Sequence, residues 1–151
     1  MGRIYSVQFT AVEVSAQQDL IQIEALVVPA ILHAVYLSQS SDVGDASSEG
    51  LSIQIRRFTD AVTDDLATAQ IDGGDATQNA DVAVNETTEL VTGQSIIHTE
   101  VWNILQPFIY LPPPELRPII QIGNGLAVNL NTTPADALTM SGVAYFEEFG
   151  N

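Results

Sequence analysis

The chain has no cysteine and no lysine. The missing cysteine excludes a disulfide framework, a thiolate metal site and a cysteine nucleophile together. It leaves the compartment open, because a domain of this size can bury roughly 68–70% of its unfolded surface and fold without covalent staples. The missing lysine leaves Arg3, Arg56, Arg57 and Arg117 as the only cations against nineteen carboxylates, a formal net charge of −15. Nucleic acids and anionic lipids are bound by Lys and Arg releasing counterions, so neither is an expected partner. Long apolar runs are also missing: the best, Leu26 to Leu37, contains Pro29 and His33 and is too short to span a bilayer as a helix. Met1-Gly2-Arg3 leads straight into alternating residues, so no secretory signal is expected.

What is present is ordinary globular material. The hydrophobic fraction is 46%, so the acidity belongs to the surface and does not mark disorder. Residues 1–151 are expected to form one domain.

A period of two dominates the pattern. Tyr5, Val7, Phe9 and Ala11 share one parity, while Val12 and Val14 share the other, which predicts a bulge or a crossing between sheets. Leu20–Ala25, Ile31–Leu37, Leu51–Arg56, Ser95–Ile104, Ile119–Ile122, Leu126–Leu130 and Leu138–Phe149 read as further strands, with Ile31–Leu37 central because both its faces are apolar. Gly123-Asn124-Gly125 is a tight hairpin signal. Ser38–Gly50 reads as a polar loop, and only Thr59–Gln70 could hold a short helix. The expected fold is therefore all-β: an antiparallel β-sandwich of about eight strands with one long acidic insertion, a jelly roll being the favoured arrangement. The insertion, residues 60–94, carries eight carboxylates and the Gly73-Gly74 pair, and is read as a surface excursion between core strands.

Catalytic chemistry finds little material. There is no Gly-x-Ser-x-Gly elbow, and neither His33 nor His98 has a triad-like partner nearby in sequence, so the chain is not expected to be an enzyme. His98 and Glu100 share a strand face, but two ligands do not make a zinc site. Glu147 and Glu148 are adjacent on a strand and face opposite ways, unlike the paired acids of a glycosidase. Asp72, Asp75 and Asp81 around Gly73-Gly74 are weak calcium candidates, as are Asp42 and Asp45 around Gly44, but their order does not match an EF-hand loop. No cofactor is expected.

The most distinctive stretch is Trp102 to Pro118, which holds the sole tryptophan, Phe108, Tyr110 and five of the seven prolines. Stiff proline-rich chain loses little entropy on docking, and aromatics with arginine carry interface energy. The competing reading is a rigid loop whose aromatics cap the open end of the sandwich.

Phe9-Thr10-Ala11-Val12 with Gln18-Asp19-Leu20, Leu37-Ser38-Gln39-Ser40-Ser41-Asp42-Val43-Gly44-Asp45-Ala46, and Pro134-Ala135-Asp136-Ala137-Leu138-Thr139-Met140-Ser141-Gly142 resemble small virion proteins of tailed bacteriophages. That resemblance implies a capsid decoration, or cement, protein: a small β-rich homotrimer made in the host cytoplasm that sits on the capsid exterior and clamps the major capsid protein. The expected contact residues are Arg3, Ile4, Tyr5, Trp102, Phe108, Tyr110, Leu111, Pro113 and Arg117. The alternative is a carbohydrate- or receptor-binding jelly-roll module of a fibre or tail, which requires an exposed aromatic face near Tyr36, Trp102 and Tyr110.

Overall fold

The computed structural model describes residues 2–41, 49–64, 66 and 68–150. Met1 and the Asp42-Gly44-Asp45 turn, both singled out in the sequence, lie outside the described residues.

Eight strands of six or more residues carry the fold: β1 (Arg3–Val14), β2 (Gln18–Ala25), β3 (Ala30–Gln39), β4 (Gly50–Phe58), β6 (Asp81–Glu86), β7 (Ser95–Asn103), β10 (Asn124–Leu130) and β11 (Leu138–Glu148). Three short ones, β5 (Ala69–Gln70), β8 (Phe108–Tyr110) and β9 (Ile119–Ile120), complete the edges. All pairings are antiparallel. One sheet runs β5-β1-β11-β3-β8, with β9 also paired to β3; the other runs β6-β2-β10-β4-β7. Successive strands, short ones included, mostly lie in different sheets, and only the β6–β7 and β8–β9 connections stay within one, so the contacts are non-local.

The alternating side chains of both sheets meet in one core that includes Tyr5, Val7, Phe9, Leu32, Leu37, Ile53, Leu126, Met140 and Phe146. The parity change in β1 is a bulge. Phe9 pairs with Gly142 and Val12 with Met140, Ala11 takes φ 53°, and its N–H donates to the Ser141 hydroxyl at 2.9 Å. One extra residue thus moves the inward set from odd to even positions, and Val14 stays buried. A second irregularity, at His33, switches parity within β3. It explains why that strand looks apolar on both faces, and β3 is an interior strand.

Three sequence expectations are corrected. Thr59–Gln70 forms no helix in its described residues: the Val62 N–H is taken by the Glu24 carboxylate at 2.7 Å and the Leu66 N–H by the Val82 carbonyl, while Ala69–Gln70 pairs with β1. Sheet partners have claimed the donors that a helix would need. The Gly123-Asn124-Gly125 signal marks a tight turn closed from the Asn124 N–H to the Gln121 carbonyl, with Gly123 at φ 76° and β10 starting at Asn124, but not a hairpin, because β9 pairs with β3 and β10 with β2 and β4. Residues 60–94 are more than a surface excursion. They supply β5 and β6, and Val62, Leu90 and Ala83 pack on Phe58 and Ala127 in a second apolar cluster.

The buried charges sit with that segment. Asp19 is fully buried, with Arg56 Nη2 at 2.8 Å, Asn129 Nδ2 at 2.9 Å, Gln22 Nε2 at 2.8 Å and the Leu90 N–H at 2.9 Å. A buried carboxylate persists only with its lone pairs filled. Here the filling also straps Leu90 onto the five-stranded sheet.

Candidate functional site

The sandwich has two open edges, and they differ. At one, β5 and β6 end the sheets and acidic side chains tie the chain down. Glu148 accepts from the Asn79 N–H at 2.7 Å, the Asn79 amide at 3.0 Å and the Ala80 N–H at 2.8 Å. Away from that edge, just past the end of the β4–β7 ladder, Asp60 accepts from the Thr92 N–H at 2.9 Å, and hydrogen bonding from Thr92 holds its carboxyl below the usual range.

At the other edge, β7 and β8 end the sheets, joined by the turn after Asn103. There the Trp102 indole N–H donates to the Gln106 carbonyl at 2.6 Å and Asn103 Oδ1 accepts from the Leu105 N–H. Trp102, Phe108 and Tyr110 are buried, so the aromatic side chains cap the core. Burial raises the Tyr110 phenol above its ordinary value. The aliphatic side chains between and around them face outward. Ile96, Ile97, Val101, Leu105, Ile109, Leu111, Leu116, Ile119 and Ile122 make up nine of the sixteen large exposed hydrophobics among the described residues, although residues 96–122 are a small part of the chain. Val101 is 71% exposed, Leu116 68% and Leu111 61%.

A groove of about 450 Å³ lies in this edge, walled by Ile97, Ile109, Leu111, Pro112, Pro113 and Leu116, with His98, Glu100 and Tyr110 as its polar members. His98 lies against Tyr110 with centroids 4.9 Å apart and the rings tilted by 47°, and its Nε2 lies 3.3 Å from Glu100. Scattered single hydrophobics need no explanation, but Ile97, Ile109, Leu111 and Leu116 line one groove, and exposed apolar side chains grouped in this way mark an interaction surface. Fully burying one such aliphatic side chain gains about 1.5–3 kcal/mol, a gain that this edge forgoes in the isolated chain.

The expected contact residues divide. Leu111 and Pro113 are exposed at the apolar edge and Arg117 is half-buried beside them. Trp102 and Phe108 belong to the core and cannot be contact residues in this conformation, while Tyr110, also buried, still lines the groove. Tyr5 is also fully buried, its hydroxyl donating to the Ala76 carbonyl at 3.0 Å and its ring 5.6 Å from Phe146. Arg3 lies 3.8 Å from Asp75, and the Ile4 carbonyl accepts from Ile71, both on the β5 side. Since β11 and β3 separate β1 from β8, the N-terminal strand and the Trp102–Pro118 segment do not form one surface.

The calcium candidates are dispersed. Asp72 Oδ1 closes its own turn on the Gly74 N–H, Asp75 faces Arg3, and Asp81 opens β6. Among the described residues no three His, Cys, Asp or Glu side chains are grouped to hold a metal. The aromatic face required by a sugar-binding module is likewise not assembled: Trp102 and Tyr110 are buried, and Tyr36 instead meets Tyr145 edge-on at 6.3 Å. His33 is held at 2.8 Å from Glu147, whose other oxygen accepts from the Gly2 N–H.

Ile96, Ile97, Val101, Ile109, Leu116, Ile119 and Ile122 are not among the contact residues expected from the sequence, because local pattern marks strands there but not which strand ends a sheet. No family model, curated protein or solved structure matches the chain.

Proposed function

We propose that the chain is a non-enzymatic viral structural protein that binds the outside of a phage capsid and stabilises it, a decoration protein acting as a closed trimer. The observation that carries this reading is the apolar β7–β8 edge, with few formal charges, on a chain of net charge −15. Such a molecule stays dispersed while free and has one face on which apolar burial across coat-subunit seams would stabilise the bound shell by mass action. The jelly-roll form of the fold is part of the same proposal. Its support is the strand order, β1-β11-β3-β8 in one sheet and β2-β10-β4-β7 in the other, with β5 and β6 added at the far edge. Two interleaved sheets of eight strands are the arrangement found in viral capsid and lectin domains.

The test is sedimentation of the purified protein with undecorated, expanded shells from a panel of tailed phages, followed by shell melting. The reading expects saturable binding and a raised shell melting temperature, both lost in Leu111→Asp. Binding to a glycan array without binding to any shell would favour the fibre or tail module instead.

A further inference from the structure

Of the four strands that end the two sheets, β5 and β8 have two and three residues, and β6 is bounded by Asp81 and Glu86. Strand β7 is different: it spans nine residues, and only Trp102 among them is buried. Its backbone is paired to β4 alone, and no backbone group of residues 96–101 bonds elsewhere among the described residues. Natural edges are usually blunted by short length, lysine, proline or bulges. This one is guarded by a bulge at Ile97 and a single formal charge, Glu100.

The chemistry of β7 reads alike in both directions about Thr99: Ile97, His98, Thr99, Glu100, Val101. An antiparallel partner with the same sequence, centred on Thr99, would set Ile97 opposite Val101, His98 opposite Glu100 and Thr99 opposite Thr99. Apolar and Thr–Thr cross-strand pairs are favourable, an imidazole N–H can donate to the facing carboxylate, and a two-fold axis repeats every off-axis pair. From His98 to Asn103 the strand keeps an unbroken register with β4, so the bulge lies at the end of the matching segment.

Electrostatics point the same way. Two copies carrying −15 each repel over most of their surfaces. Residues 95–122 contain only Glu100, Glu115 and Arg117 as formal charges, a net of one negative charge out of the chain's fifteen. This is the stretch through which a second copy can approach at least cost.

We infer that β7 is a homotypic docking strand: two copies join edge to edge about a two-fold axis at Thr99, making one continuous sheet from two. The pairing goes beyond the capsid reading and needs only two copies. In a trimer it would link one trimer to the next.

The chain's lack of cysteine makes the test direct. In Thr99→Cys the two introduced thiols face each other across the axis, within the Cα separation of about 4.4–6.8 Å that a disulfide accepts. In Val101→Cys they are displaced by four residues along the strand, roughly 13 Å, and cannot join. A chain with one cysteine cross-links no further than two chains, whatever larger assembly it belongs to. Under mild oxidation at micromolar protein, Thr99→Cys is expected to form covalent dimer about tenfold faster than Val101→Cys, because pairing raises the local thiol concentration toward millimolar. An equimolar mixture of Ile97→Cys and Val101→Cys is expected to cross-link although Val101→Cys alone does not, and added salt is expected to speed Thr99→Cys by screening like charges. Equal rates for Thr99→Cys and Val101→Cys, or no dimer from Thr99→Cys and none from the mixture, would overturn the pairing. Neither result bears on shell binding, which the sedimentation experiment reads separately.

Discussion

The two edges of the sandwich solve the same problem in opposite ways. Both leave strand backbone and side chains beyond the last pairing, yet the β5–β6 edge is closed by the chain itself and the β7–β8 edge is not. At the first, carboxylates that look like surface charge in the sequence are hydrogen-bonded inside, Glu148 on Asn79 and Ala80 and Glu24 on Val62, and further into the sheet Asp19 bridges Leu90 and Arg56 from β2 to β4. At the second, the aromatic side chains turn inward and aliphatic ones remain outside with nothing against them. Acidity alone therefore does not mark an external surface here, and apolarity alone does not mark a core. An edge whose polar groups are satisfied internally is structural, and an edge whose apolar groups are left in water is available.

The contrast is sharpened by substitutions at both edges. The largest expected effect is at Asp19. Asp19→Ala leaves the buried Arg56 guanidinium only Glu89 at 3.6 Å and frees the Leu90 N–H, so urea unfolding should show a loss of about 3–5 kcal/mol. Adding Arg56→Met should recover part of that loss, since an apolar replacement leaves no uncompensated charge. Next is Gly125→Ala on β10: a Cβ there would strike the Phe58 ring beneath the 60–94 segment, and such overpacking costs about 1–3 kcal/mol in the same assay.

A smaller effect separates two acids of the insertion by pH. Burial, together with a hydrogen bond and charge repulsion from Asp64, raises the Glu86 carboxyl above its ordinary value. The folded state then holds this proton more tightly than the unfolded one, so the contribution of Glu86 falls as pH rises from the ordinary carboxyl range through the raised value. Glu86→Gln should therefore stabilise the protein at neutral pH and lose that advantage in acid. Asp60, held low by Thr92, runs the other way: its contribution is present above the ordinary value and is lost as pH falls. Urea midpoints of Glu86→Gln and Asp60→Asn at acidic and neutral pH should move in opposite senses. The smallest effect on folding is at the other edge. Val101→Asp and Leu111→Asp should change stability by only about 0.5 kcal/mol, because neither side chain is packed, while weakening association. A large stability loss from either would mean that the β7–β8 edge is structural after all.

Much of the fold is readable along the chain because it is written in parity. Tyr5, Val7 and Phe9 followed by Val12 and Val14 disclose both a strand and its bulge, and Leu51, Ile53 and Ile55 disclose the core face of β4, but not that Gln54 and Arg56 on its other face are buried too. Pairing is less readable, because it is non-local. Gly123 makes its turn as expected, but whether the flanking strands pair depends on β3 and β2, far away in sequence. Val82 and Val84 alternate over too short a span, among acids and small residues, to stand out as β6. The candidate site was half legible. Trp102–Pro118 is the right segment, but which of its side chains reach inward follows from β8 pairing with β3, which buries Phe108 and Tyr110 and turns Ile109 out. Whether Ile96–Val101 is central or terminal in its sheet has no local signature at all.

The central claim is that the β7–β8 edge is an interface, and solution mass tests it most directly. Light scattering coupled to size exclusion, on the wild-type chain of 16.2 kDa and on Val101→Asp, should show a multiple of the chain mass for the first and a smaller mass for the second at equal stability. A wild-type protein that stays monomeric at every concentration and salt, indistinguishable from Val101→Asp, would contradict both the self-pairing of β7 and the trimer. Decoration would then have to proceed by assembly on the shell alone.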